Sequence, residues 1–346
     1  MQTDAAVLVE LNQPLRHARL ELPELKPGQV LVEVAYSGVC HSQLHEVRGR
    51  RGPDRYLPHT LGHEGSGVVR AAGAGVEKVR PGDRVVLSWI KGQGADVPSS
   101  GYREAGAKIN SGPLSTFMRH TITCENRLVR LPPEMPLREA ALLGCALPTG
   151  AGIVINMLAI QPGESLTVFG AGGIGLSAVL AARMLGADPL IAVDVVESKL
   201  AEALRLGATH AINARQRDPV AAIRELTQGR GAEYAVEAAG RRETMEAAFR
   251  SVRDQGGLCV LAGNLPHGEQ IAIDPFDLIR GKRIAGAWGG ATRPDEDVPR
   301  YVGWFLEGRL PMNELISREY RLEEINAALD DLEQGRVVRA LVDMAA

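Results

Sequence analysis

The chain has 346 residues, about twice the common domain size, so two domains are expected. Hydrophobic residues make up 45% and charged residues 23%, an ordinary balance for a chain that buries a core. A net charge of −3 leaves no basic field for nucleic acid or an anionic membrane, and neither partner is expected.

The N-terminal stretch MQTDAAVLVELNQPL carries an early acid and no basic region before an apolar run, so it does not read as a signal peptide. The first third alternates short β-type runs with turn signals: AAVLVEL, QVLVEVAYSGVC, GSGVVRAAGAGV and DRVVLSWI, the second and fourth each following a Pro-Gly pair. Strands at this spacing suggest a β-rich barrel or sandwich. Residues 91–112 are polar and Gly-rich and read as a surface loop. Between Glu139 and Glu164 no residue is charged, but Pro148, Thr149, Gly150, Gly152, Asn156 and Gln161 interrupt the run, so two short buried helices fit it better than a membrane span.

After Gly163 strands and helices alternate. SLTVFG, LIAVD, THAIN, EYAVEAAG and GGLCVLAG read as strands, with helices over LSAVLAARMLGA, ESKLAEALRLGA and ETMEAAFRSV. That alternation implies a parallel sheet with right-handed crossovers, an α/β unit. The terminal RVVRALVDM reads as a strand that rejoins the first domain, which gives boundaries of 1–150, 151–289 and 290–346.

Gly170, Gly172 and Gly175, within the run Gly170-Ala171-Gly172-Gly173-Ile174-Gly175, form a G-x-G-x-x-G motif between an expected strand and an expected helix. Asp194 closes the next strand nineteen residues after Gly175. In this motif the first glycine permits a tight turn, the second admits a pyrophosphate to the backbone, and the third lets helix pack on strand. The helix N-terminus offers free N–H groups to the phosphates. An acid at Asp194 accepts hydrogen bonds from a ribose and repels a 2′-phosphate, which argues for NAD over NADP.

Four cysteines, Cys40, Cys124, Cys145 and Cys259, are too sparse for a disulfide framework and read as reduced thiols of a cytoplasmic protein. Cys40, His63 and Cys145, with water or Glu64, satisfy a tetrahedral zinc that keeps an exchangeable position, although spacing alone does not select these three. Cys124 and Cys259 read as small buried apolar residues.

The blocks GVCHSQ, LGHEGSG, PGDRV, LLGCALPTGAG, VFGAGGIGLSA and AVDVVESK together resemble the zinc-dependent alcohol dehydrogenases of the medium-chain dehydrogenase/reductase superfamily, nearly end to end. The resemblance implies a GroES-like catalytic domain interrupted by a Rossmann domain, and hydride exchange between an alcohol and NAD assisted by one catalytic zinc. It assigns Cys40, His63 and Cys145 as zinc ligands and Glu64 as the acid that approaches the metal during ligand exchange. Ser42 takes the substrate proton and His45 passes it on. His41 and Arg339 contact the cofactor phosphates, Thr149 and Ile174 the nicotinamide, Lys199 the adenosine ribose, and Trp89 lines the substrate channel. Family members form dimers or tetramers, so a homo-oligomer is expected alongside a small-molecule alcohol or carbonyl partner.

Two departures stand out. No cysteine lies between Cys40 and Cys124, so the four-cysteine structural zinc common in the family is excluded. Gln43 stands where the family usually has Asp beside the ligand histidine, which alters the metal's surroundings. Two rival readings are a dehydrogenase of the glutathione–formaldehyde adduct, disfavoured by the cations Arg50 and Arg51, and a silent NAD-binding protein, disfavoured by the complete ligand set. Arg50, Arg51 and Trp89 suggest a narrow channel with a cationic rim, while His59 and the Arg48–Arg51 cluster otherwise read as surface.

Overall fold

A computed structural model describes all 346 residues and divides the chain into two units. The first comprises residues 1–145, 293–307 and 316–346, the second 146–292 and 308–315. The first boundary falls five residues before the expected one, directly after Cys145. The return is more interleaved than expected. Residues 293–307 join the first unit, where Asp295 pairs with Lys78 at 2.5 Å and accepts the Gln93 N–H at 2.6 Å. Residues 308–315 stay with the second, where Glu314 pairs with Arg205.

Two sheets build the first unit. One runs in the order His59–Thr60, Gln2–Leu8, Arg16–Glu21, Tyr102–Glu104, Ala107–Ile109. The other runs Leu128–Arg130, Arg84–Ser88, Glu64–Ala72, Gln29–Val39, Ala340–Asp343, Arg318–Arg321, with His120–Cys124 also paired to Gln29–Val39. The C-terminal strand rejoins this domain as expected: Ala340 stands opposite Val39 in an antiparallel ladder. Valines and leucines of the long central strands, among them Val30, Val32, Val69, Val85 and Leu87, are fully buried and form one core cluster. β-Branched residues suit a pleated surface packed against its neighbours, which is why these runs are strands.

The polar stretch 91–112 is not wholly a surface loop. Tyr102–Glu104 and Ala107–Ile109 pair as a short hairpin whose Tyr102 and Ile109 are each 3% exposed. The turn is made by Ala105 and Gly106, both at positive φ. Two buried side chains hold the rest of the stretch. Gln29 Nε2 donates to the Pro98 carbonyl at 3.0 Å and to Ser100 Oγ at 2.9 Å. Glu125, 4% exposed, accepts the Glu77, Lys78 and Ala95 N–H groups at 2.5, 2.6 and 3.1 Å. Cys124 Sγ also lies 3.9 Å from Asp96 Oδ1 within this stretch.

The second unit holds a parallel sheet in the order His210–Asn213, Leu190–Asp194, Leu166–Phe169, Tyr234–Glu237, Leu258–Leu261, Arg283–Gly286. The strand order reverses between Leu166–Phe169 and Tyr234–Glu237, the topological switch point at which nucleotides bind in doubly wound folds. The uncharged run breaks at Cys145 into the helical segments Leu137–Gly144 and Ala146–Leu158, and no single helix is long and apolar enough to cross a membrane.

Glu125→Ala removes the shared acceptor of three backbone donors. A hydrogen bond to a charged group is worth roughly 1.5–3 kcal/mol net, and the exposed Glu77 N–H and half-buried Lys78 N–H can turn to water once the acceptor is gone. Denaturant unfolding of this variant is expected to show a loss of roughly 2–4 kcal/mol. A loss below about 0.5 kcal/mol would show that the loop is held otherwise.

Candidate active site

The strand Gln29–Val39 ends at Cys40, which is extended (φ −113°, ψ 149°), and the helix His41–Val47 begins directly after it. His63 and Glu64 enter from the start of the neighbouring strand. Gly62 precedes them at φ +90°, and a Cβ there would lie 2.4 Å from Thr116 Oγ1 and 2.6 Å from the Phe117 nitrogen, so only glycine lets the chain turn His63 inward. Cys145 follows the single helical turn Ala141–Gly144. Together these segments bring one ligand atom each of Cys40, His63, Glu64 and Cys145 within 4.8 Å of one another. His63 Nε2 lies 3.2 Å from Cys145 Sγ. Two ligands of a tetrahedral zinc, at about 2.1 Å for nitrogen and 2.3 Å for sulfur, stand about 3.5 Å apart, so this pair is close to metal-binding separation.

The electrostatics also suit a cation. Glu64 is fully buried, its Oε2 bound by the Arg339 guanidinium, its Oε1 without a hydrogen-bond partner. Burial pushes the Glu64 carboxyl up, against the pull of Arg339. A hydrogen bond from the Cys145 thiol holds the Cys40 thiol well below its ordinary value, helped by His63 and Arg339, and the same bond drives Cys145 up. Two soft sulfur donors, an imidazole and a carboxylate with a spare oxygen match the chemistry of zinc.

In the second unit, Gly170, Gly172 and Gly175 sit as the motif requires. A Cβ on Gly175 would lie 1.9 Å from the Gly170 carbonyl oxygen, whereas one on Gly172 would meet nothing within 4 Å, leaving backbone open to a ligand. The helix Gly173–Leu185 starts here, with Ile174 half-buried in its first turn. Asp194 accepts the Ala171 N–H on Oδ2 at 2.8 Å, and the Val195 and Val196 N–H groups on Oδ1 at 2.7 and 3.0 Å. It therefore pins the glycine turn to the second strand.

Residues 26–133 match the family model of the alcohol dehydrogenase GroES-like domain, and residues 173–307 that of the zinc-binding dehydrogenases. The alcohol dehydrogenase class-3 of Cereibacter sphaeroides is 32% identical, covering 99% of this chain and 100% of its own. This chain belongs to the zinc-type alcohol dehydrogenases. Two solved structures are similar throughout: a zinc-binding-domain alcohol dehydrogenase protein from Burkholderia ambifaria (TM-score 0.91, 34% identity) and benzyl alcohol dehydrogenase from Acinetobacter calcoaceticus (TM-score 0.91, 32% identity). Each covers 99% of both chains. The protein is an enzyme of alcohol oxidoreduction, and its family points to zinc and a nicotinamide nucleotide as cofactors.

Among the remaining expected residues of this alcohol dehydrogenase, Ser42 Oγ lies 3.6 Å from Cys40 Sγ. His45 follows three residues later on the same face of the helix and is half-buried. Burial, then the charges of Arg50 and Arg51, lower its pKa, so it stays neutral and able to accept a proton below the ordinary imidazole value. Trp89 stands edge-on to His63 with ring centroids 6.4 Å apart. His41 is exposed, Lys199 is half-buried in the first turn of Glu197–Leu206, and Thr149 is buried. Cys124 and Cys259 are both buried, as expected, and Cys124 Sγ also donates to Asn126 Oδ1 at 3.1 Å.

Two expectations need correction, and Arg339 has partners that the sequence does not announce. Arg339, expected on the cofactor phosphates, is 3% exposed and bound to Glu64 and to the Val39 carbonyl at 3.3 Å. The ladder that sets Ala340 against Val39 carries it there, a contact 275 residues apart that no local pattern announces. His59 is not a surface residue: it is 7% exposed, with Nε2 2.8 Å from Asp54 and Nδ1 3.0 Å from the Thr60 carbonyl. The expected cationic rim is not free of acids, because Arg50 pairs with Glu333 at 2.7 Å and Arg51 lies 3.7 Å from Glu46.

Removing one partner of a buried ion pair costs about 3–5 kcal/mol, since the other is left uncompensated. Arg339→Met is therefore expected to destabilise the protein by about 3–5 kcal/mol at neutral pH, and the double variant with Glu64→Gln by less than the two singles combined. Additive losses in denaturant titrations would contradict the pairing.

Proposed function

We propose that this chain oxidises a primary or secondary alcohol to an aldehyde or ketone, with NAD as the hydride acceptor and a single zinc held by Cys40, His63 and Cys145. The observation that carries the reading is the convergence of those three ligands, with Glu64, within 4.8 Å, beside a helix that presents Ser42 and His45 on one face. Zinc at this site supplies Lewis acidity that makes an alcohol hydroxyl more acidic, as it does for bound water. Ser42 then holds the departing proton and His45, kept neutral by burial and by its arginine neighbours, delivers it toward solvent. Glu64, with one oxygen on Arg339 and the other unpartnered, has a lone pair to offer when a ligand is exchanged. Arg339 acts here by holding Glu64 in place.

The choice of NAD rests on Asp194. Three backbone N–H groups use three of the roughly four acceptor positions on its carboxylate, which leaves capacity for a ribose hydroxyl and a negative charge where a 2′-phosphate would have to sit. Both family-derived cofactors thus have matching residues, and a cytoplasmic enzyme is the setting in which reduced cysteines persist.

An alcohol screen with NAD and with NADP tests this, and benzyl alcohol belongs in it because it names the similar Acinetobacter enzyme. Turnover with NAD is expected to exceed that with NADP, and Ser42→Ala is expected to lower kcat by roughly 10²-fold or more while leaving NAD affinity nearly unchanged. Equal losses in turnover and NAD binding would contradict the relay, and equal use of NADP would contradict the role of Asp194.

A further inference from the structure

Gln43 lies between two parts of the metal site. It is 2% exposed and is the third residue after Cys40 along the helix His41–Val47. Its Oε1 accepts the Cys40 backbone N–H at 3.3 Å, and its Nε2 faces Nδ1 of His63. A backbone N–H only donates, so the amide oxygen is fixed on Cys40 and the amide nitrogen is left for His63. That nitrogen also only donates, which makes Nδ1 the acceptor and puts the ring proton on Nε2. Yet Nε2 is the atom turned toward the other ligands, 3.2 Å from Cys145 Sγ. A histidine that binds metal through Nε2 carries its proton on Nδ1, and that N–H needs an acceptor. The arrangement around Gln43 therefore matches His63 without metal and opposes His63 with it.

We propose that Gln43 is a positioning residue that favours the metal-free tautomer of His63 and so makes the zinc of this enzyme readily exchangeable. With metal on Nε2, the Nδ1–H and the amide –NH2 are two donors face to face. Turning the amide over gives Nδ1–H an oxygen but confronts the Cys40 N–H with the –NH2 instead. A carboxylate of the same length has two oxygens in the two positions and accepts from both donors at once, which no orientation of the amide does. A glutamate also keeps the helix-capping bond to Cys40, because either residue serves at this third position. The inference rests on the metal site proposed above and concerns how firmly that site keeps its ion.

The test is the rate at which zinc passes from the zinc-loaded full-length protein to an excess of a chromophoric chelator, for the wild type and for Gln43→Glu. Partners of ligand histidines commonly change metal affinity 10–100-fold, and release from the variant is expected to be about ten-fold slower or more. Release at the wild-type rate or faster, with zinc bound to both proteins, overturns the inference alone. Failure of both proteins to bind stoichiometric zinc overturns the metal site and the inference with it. A second measurement needs no variant: long-range ¹H–¹⁵N correlations of His63 in the metal-free wild type are expected to place the ring proton on Nε2. A proton on Nδ1 overturns the inference.

Discussion

Two sulfurs, an imidazole and a carboxylate drawn within 4.8 Å in the interior cannot be an idle arrangement, because desolvation and mutual repulsion both oppose it. Arg339 meets part of that cost by pairing with Glu64, and it is the one arginine brought against this carboxylate by the ladder between the C-terminal strand and Gln29–Val39. The Cys145 thiol, which holds the Cys40 thiol well below its ordinary value, meets another part. What remains is an orphaned Glu64 oxygen and a set of soft donors, the pattern left when a dication supplies the missing compensation. The antiparallel pairing that sets Ser37 opposite Gly65 brings Cys40 close to His63 and Glu64.

The second unit answers a different demand. Its glycine turn must be both tight and open, and the two needs fall on different residues: Gly175 is packed against the Gly170 carbonyl, while Gly172 faces empty space. Asp194 serves structure and recognition together, since the N–H of Ala171 that it accepts belongs to the turn itself. Loss of its charge thus threatens the shape of the phosphate site as well as the choice of nucleotide.

Much of this was legible in the sequence. The strand–glycine turn–helix unit around residues 166–185 is a local pattern, and hydrophobic periodicity sufficed to place it. The metal ligands were legible only through resemblance, because Cys40, His63 and Cys145 are brought together by chain folding and not by spacing. Residues held by contacts that no periodic pattern announces escaped. Glu125 and Gln29 are isolated polar residues among strands, His59 is one histidine beside a cis proline at Pro58, and the partner of Arg339 lies at the opposite end of the chain. The hairpin at Tyr102–Ile109 hid in a Gly- and Ser-rich stretch because only two of its residues are buried and apolar. Gln43 was visible as a departure from the family, but its consequence required seeing which of its two amide atoms the Cys40 N–H claims.

The account turns on the metal, and elemental analysis of protein purified without added zinc tests it most directly. One zinc per chain, lost when Cys145 is replaced by Ala, is the expected result: it matches a catalytic site and the lack of cysteines for a structural one. Folded, active protein with essentially no zinc would contradict the account, and two per chain would show that the loop held by Gln29 and Glu125 is not the whole replacement for a structural metal.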